Sequence, residues 1–340
     1  MRRGLALTLT VAMLGSLLAG CGSSGGGSAP KADATAAAAP AGGGTEEVTT
    51  PDKVLKFTDQ NAEDSPAGMW EQKFADLVKE YTKGHIEVEL YFNNTLCGYD
   101  IQPLQAGICD FIQYVPSSAG DLDSRLGAFD APYIYRDADH RLAVFDPFNS
   151  EPLKVINEAL KDDGVMLLSS FNSGYRQITC NFPIRNLSDM KGAKIRVVPS
   201  DLYQQLFTAF GAAATPMAFS EVPTALITNV IDGQENPYSV IVSSALYEVQ
   251  KYCMETNHLP TNHGLWMNRN TYESLTPEQQ EAVLKAAYDA SAYMDKYILD
   301  KVEEYKKICE DNGMEIIDAE NGLDIDGFKA AAENVYDYFA

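Results

Sequence analysis

The stretch from Thr276 to Gly313 constrains this chain more than any other. Thr276-Pro277-Glu278-Gln279 is a capping box with proline at the first helical position, and after Pro277 neither glycine nor proline interrupts the pattern before Gly313. At about 1.5 Å per residue the helix is on the order of 50 Å long. One lobe cannot bury such a helix end to end, so it predicts a brace across two.

The segments before it alternate strand and helix. Residues 54–58 form an apolar strand. Ser65-Pro66 then starts a helix with Trp70, Phe74, Leu77 and Tyr81 at helical spacing, stopped by Gly84. Ile86, Val88, Leu90 and Phe92 alternate as a strand with one buried face. A short helix at 104–107 and a strand at 110–115 follow. Further on, 165–171 reads as a central strand, and a separate crossing strand carries Tyr175-Arg176 and ends near Asn181. Residues 194–198 make another strand and 202–210 a helix closed by Gly211; Ser220 caps a helix running through Leu226. Repeated βα units of this kind predict an α/β fold of two lobes with largely parallel sheets.

The body follows a leader and a tether. Arg2 and Arg3, the apolar run 5–18 and Leu18-Ala19-Gly20-Cys21 resemble an export signal with a bacterial lipoprotein cleavage box. The expected mature chain begins at Cys21 with a lipid on its thiol, anchored to a membrane rather than spanning it. Residues 22–52 are mostly Gly, Ser, Ala, Pro and Thr, too poor in large apolar side chains to order, with a reach of roughly 30 Å. Gly22 to Gly26 matches an esterase elbow, but with no strand before it or helix after it the match is discarded. The expected segments are 1–20 signal peptide, 21–53 linker, 54–173 with 262–301 one lobe, and 174–261 with 302–340 the other.

The formal net charge is −22, and removal of the leader with its two arginines makes it more negative still. That argues against nucleic acid and anionic membrane surfaces as partners, and the expected contact with lipid is through Cys21 only. An anionic ligand would need clustered arginines to overcome the field. Beyond Cys21 there are five cysteines, Cys97, Cys109, Cys180, Cys253 and Cys309, an odd number that cannot all pair within one chain. Free thiols suit a reducing habitat, and a Cys97–Cys109 bridge stays open.

No phosphate-binding loop, HExxH or CxxC motif is present. The four histidines are His85, His140, His258 and His263. The last pair, five apart across Pro260, lacks the spacing of helical metal ligands and reads as loop or strand polar residues near a cleft. No metal or cofactor is expected. Arg196 lies inside the apolar strand Ile195-Arg196-Val197-Val198, and Arg176 follows Gly174-Tyr175. Each guanidinium is either a structural ion-pair partner or half of a carboxylate clamp, and spacing does not decide between them. Asp232-Gly233-Gln234-Glu235-Asn236-Pro237 reads as a surface turn or as a loop offering amides to a polar ligand.

Several segments together resemble one family, the DctP-type solute receptors of tripartite ATP-independent periplasmic (TRAP) transporters. They are Phe129-Asp130-Ala131-Pro132-Tyr133, Leu187-Ser188-Asp189-Met190-Lys191-Gly192-Ala193-Lys194-Ile195-Arg196-Val197 and Thr215-Pro216-Met217-Ala218-Phe219-Ser220-Glu221-Val222. The most specific is Asp232-Gly233-Gln234-Glu235-Asn236-Pro237 with Tyr247-Glu248-Val249-Gln250-Lys251-Tyr252 after it. The likeness runs from about Val54 to Gly313.

The resemblance implies a type II periplasmic-binding-protein fold, two lobes closing over a ligand with a long C-terminal helix bracing both. It implies that Arg196 makes the main bidentate contact with a ligand carboxylate, that Arg176 is a second carboxylate-binding arginine, that Asn236 bonds the ligand and that Phe219 packs on it. Glu221, Glu235 and Asn61 are carried over with less support. The chain departs from the family pattern at Leu96-Cys97-Gly98-Tyr99-Asp100, and at Pro223, where a tyrosine is usual.

The expected protein is a monomeric, extracytoplasmic, lipid-anchored receptor, not an enzyme, with membrane permease subunits as its partner. A receptor feeding a sensor and a carboxylate-processing enzyme are the alternatives. Among ligands a sugar acid such as a uronate or aldonate ranks first, because Asn61, Gln234, Glu235 and Asn236 offer more hydroxyl-binding groups than a short diacid uses. A C4-dicarboxylate ranks next.

Overall fold

The computed structural model describes residues 50–338, so the leader, Cys21 and nearly all of the expected tether lie outside the described residues. Ten strands are formed there: β1 (Lys53–Thr58), β2 (Ile86–Tyr91), β3 (Phe111–Tyr114), β4 (Val165–Cys180), β5 (Lys194–Val197), β6 (Ala213–Pro216), β7 (Gly233–Pro237), β8 (Tyr252–Met254), β9 (Pro260–Asn268) and β10 (Glu315–Ile317). Their order is β2-β1-β3-β9-β4-β7-β5-β6, with β8 beside β4 and β10 beside β8.

In the first lobe β1 runs parallel to β2 and β3, and β9 runs antiparallel to β3 and β4. Helix Pro66–Tyr81 covers one face. The Ser65 hydroxyl caps it by accepting from Gly68 N at 3.1 Å. Trp70 and Phe74 are fully buried against Phe57, Phe111 and Phe171, with ring centroids 4.8 Å apart for Trp70–Phe171 and 5.1 Å for Phe74–Phe111. In the second lobe β5 is parallel to β6 and β7, while β7 and β8 are antiparallel to β4. Ile178, Ile195, Leu206, Phe207, Phe210 and Phe328 fill its core.

Strand β4 belongs to both lobes. The sequence separates 165–171 from the strand carrying Arg176, whereas the structure joins them in one 16-residue strand. The joint is an irregularity in register with β9 between Asn172 and Tyr175. Gly174, at φ +117°, lets the strand swing there without ending, because only glycine adopts that backbone cheaply.

The long helix, Pro277–Asp311, has the expected capping box: Thr276 Oγ1 accepts from Gln279 N and Gln279 Oε1 accepts from Thr276 N. Ala282, Val283, Ala286, Ala287, Ala290 and Met294 join the first lobe's core. Cys309 joins a second-lobe cluster with Val222, Ile241, Leu246, Cys253 and Ile316. At mid-helix Asp295 accepts from Arg141 Nη1 at 2.7 Å and from Asn172 N at 2.6 Å, so the brace grips the crossing strand at the joint.

Two further expectations are corrected. Residues 233–237 are neither a surface turn nor a loop; they form buried β7 between β4 and β5. Ser220 is not a helix cap. It lies in the 3-10 turn Phe219–Glu221, and the next helix, Val222–Ile227, starts two residues later with Pro223 in its first turn. All five described cysteines are free thiols. Among the described residues no helix is long and apolar enough to cross a membrane.

Candidate functional site

The crossing of β4 places Arg176 at its first position in the second lobe, opposite Pro237 of β7. The side chain is buried. Its Nε donates to Glu235 Oε2, and its Nη2 donates to Glu235 Oε1 and to Asn236 Oδ1, each at 2.9 Å, and to the Glu235 carbonyl at 2.8 Å. The guanidinium also lies over the Tyr203 ring, 5.4 Å from its centroid. His258 Nε2 reaches the same Glu235 oxygen at 3.4 Å, and its Nδ1 is 2.7 Å from Thr256 Oγ1.

This cluster is self-neutralising. Burial alone would raise the Glu235 carboxyl, but the Arg176 charge and the His258 contact outweigh it and hold the acid below its usual range. Burial works against the Arg176 charge too, and Glu235 more than offsets it. His258 is pushed down by burial, against the pull of Glu235. The result is a buried ion pair beside a His whose charge is disfavoured.

Arg196 is held differently. It sits near the end of β5, 3% exposed, with Nε donating to the Met217 carbonyl at 2.9 Å and its guanidinium over the Phe219 ring at 5.7 Å. Among the described residues no carboxylate lies within ion-pair distance of it, and its two terminal nitrogens make no hydrogen bond. Burial, with a smaller push from Arg176, pulls its pKa to about 10 even though Glu235 works the other way. It therefore remains charged at neutral pH, as a buried cation with an open fork that a carboxylate would complete.

The expected residues are brought together in part. Arg176, Arg196, Glu235, Asn236 and Phe219 form one neighbourhood. The Asn236 side chain is already engaged, accepting from Arg176 and donating to Gln234, which in turn donates to Thr179 Oγ1 at 2.8 Å. Phe219 is 38% exposed, leaving a free aromatic face beside Arg196. Glu221 is exposed and takes no part in these bonds. Asn61 belongs to the first lobe, where it donates to both Asp59 oxygens at 3.0 Å.

Beyond β5 the chain enters 198–202, which forms one wall of a cleft of about 530 Å³. The facing wall comes from the first lobe and carries Tyr99, Tyr114, Ser117, Ser118, Asp121 and Ser124. Sequence reasoning left this wall, Tyr203 and the role of His258 unassigned. It also missed Glu71, a buried acid beside buried Asp59, although Glu71, Phe74 and Val78 share the i, i+3, i+7 spacing of the buried face of their helix.

The profile of the family described as bacterial extracellular solute-binding protein, family 7 (DctP), matches residues 57–340. Among curated relatives, the 2,3-diketo-L-gulonate-binding periplasmic protein YiaO of Escherichia coli K12 is 29% identical over 82% of this chain and 84% of its own. The C4-dicarboxylate-binding protein DctB of Bacillus subtilis is 30% identical over 75% and 74%. Among solved structures, a TRAP periplasmic solute-binding protein of Roseobacter denitrificans with bound L-galactonate is similar at TM-score 0.73 and 30% identity, covering 84% of this chain and 94% of that one. One from Xanthobacter autotrophicus with bound β-D-galacturonate gives TM-score 0.75 and 28% identity over the same shares.

Proposed function

Because this chain belongs to the DctP family of bacterial extracellular solute-binding proteins, we propose that it is the solute receptor of a TRAP transporter, taking a small organic carboxylate between its lobes and passing it to the membrane permease. The observation that carries this reading is Arg196: a buried guanidinium, positioned by the Met217 carbonyl and the Phe219 ring, with no carboxylate partner among the described residues. Arg176, fixed by Glu235, sets the field beside it and supports the Asn236 amide.

The open form takes the carboxylate onto Arg196, and the lobes, 54–173 with 262–301 and 174–261 with 302–340, close about the crossing strands. Ligand contacts made only in the closed state shift the population toward it. No bond is made or broken. A sugar acid is the favoured ligand and a C4-dicarboxylate the next, classes that the relatives' names and bound ligands also contain. The proposal includes a monomer tethered outside the cytoplasm by lipid on Cys21.

The test is a thermal-shift screen of the purified protein against organic acids and neutral sugars, with Arg196→Ala beside it. A ligand present at a thousand times its Kd stabilises by about 4 kcal/mol, a shift of several degrees. One class of acid should shift the wild type and leave the variant unmoved. A response to neutral sugars only, or an equal response from the variant, would show that Arg196 is structural.

A further inference from the structure

Two of the five described cysteines meet in the first lobe, and both are free thiols there. Cys97 lies half-buried between β2 and the short helix Gln102–Gln105 and packs on the cluster that contains Ile101, Leu104, Cys109 and Ile112. Cys109 is buried in that cluster, two residues ahead of β3. Its thiol is pushed up to about 12 by burial first, and then by the charge and contact of the Cys97 side chain. The backbone on either side holds the two in place. Before Cys97, Asn93 N donates to the Asn61 carbonyl at 3.0 Å and Asn94 N to the Asp59 carbonyl at 2.8 Å. After it, the Tyr99 hydroxyl accepts from Val115 N at 3.1 Å and its ring lies 4.7 Å from that of Tyr114. Next to Cys109, Asp110 N donates to the Lys56 carbonyl at 2.9 Å. The other three thiols are closed to solvent in the second lobe: Cys180 donates to the Asp232 carbonyl at 3.3 Å, and Cys253 and Cys309 are fully buried.

We propose that Cys97 and Cys109 are a redox pair, joined as a disulfide by exchange with a low-molecular-weight disulfide outside the cytoplasm and opened again by a thiol. Cys97 reacts first, because it is the one of the two that solvent reaches. Its thiolate attacks the external disulfide and expels one thiolate, leaving a mixed disulfide on Cys97. Cys109 then gives up its proton, attacks the Cys97 sulfur and expels the second thiolate. Two cysteine thiols lose two electrons in all, and one external disulfide becomes two thiols, which carry off the two protons. The bond closes a ring of 13 residues and staples the segment bearing Tyr99, part of the cleft wall, to the approach of β3. The pair does not depend on what the cleft binds, so it stands or falls apart from the carboxylate reading.

The test equilibrates the purified full chain in glutathione buffers from fully reduced to fully oxidised, alkylates the remaining thiols and cleaves the chain before aspartate. Cleavage ahead of Asp100 and Asp110 puts the two cysteines on separate peptides, so a bridge appears as a linked pair in the mass spectrum. That pair should form as oxidised glutathione rises and revert on reduction, while Cys180, Cys253 and Cys309 stay alkylatable after unfolding. The bridged form should melt roughly 5 °C or more above the reduced form. Cys109→Ser should hold Cys97 as its glutathione adduct, and Cys97→Ser should leave Cys109 an unmodified thiol. No linked pair at any glutathione ratio overturns the proposal, as do bridges among the second-lobe cysteines instead. Glutathione on Cys109 in Cys97→Ser overturns the order of attack, and equal melting of the two forms overturns the staple.

Discussion

Arg176 and Arg196 share one buried neighbourhood and differ in what completes them. Arg176 meets a carboxylate, a side-chain amide and a carbonyl from β7, so most of its donors are satisfied before any ligand arrives. Arg196 has one carbonyl and one aromatic face. Desolvation that is offset at the first is left standing at the second, and this difference is the ground on which we propose the second as the binding group. A different electrostatic balance holds at Asp59 and Glu71. Burial, with Asp59 alongside, raises Glu71 well above the ordinary carboxylate range, so the buried acid favours its protonated form. The folded state then keeps a proton that the unfolded chain releases near pH 4.5, so this contribution to stability is full below that pH and is lost as pH rises through the raised folded value. Glu71→Gln should accordingly gain stability relative to wild type as pH rises from 5 to 8. Denaturant unfolding at the two pH values measures it, and a pH-independent difference would rule out a raised Glu71 carboxyl.

At the scale of elements, β7 shows how a polar segment becomes core. Its glycine serves close approach rather than a turn: a Cβ on Gly233 would lie 2.2 Å from the Thr179 carbonyl oxygen and 3.0 Å from the Ile195 side chain. No left-handed backbone is involved, so the cost of substitution is purely steric. Gly233→Ala should destabilise by about 3 kcal/mol through forced separation of β7 from β4. Gly98→Ala is the control, since a Cβ there meets nothing within 4 Å, and its effect should stay within about 0.5 kcal/mol. Chemical denaturation of both variants checks the contrast. Because β7 also carries Glu235 and Asn236, a shift of that strand would displace the partners of Arg176 as well.

For the whole molecule, the brace and the crossing strand set what can move. The long helix packs on both lobes and grips β4 through Asp295, while the register irregularity at 172–175 concentrates compliance at one place. Ligand binding should therefore contract the molecule as a hinge closure rather than reorder it. Small-angle scattering should show a smaller radius of gyration with ligand, and Arg196→Ala should show none of that change. Unaltered scattering under saturating ligand would exclude closure. The sequence alone determined the two-lobed α/β class and the capped brace, and it singled out the two arginines as candidates, because periodicity, caps and motifs are local and survive in one dimension. It did not decide that β4 runs unbroken, that 233–237 is a buried strand, or which arginine is neutralised. Those depend on which chain segments lie alongside one another: Glu235 is 59 residues from Arg176, and no local pattern announces that pairing. The first-lobe wall was illegible for the same reason. Tyr99, Ser117 and Asp121 read as ordinary loop residues until the fold sets them opposite the segment after Arg196, and only that apposition makes them one wall of a cleft.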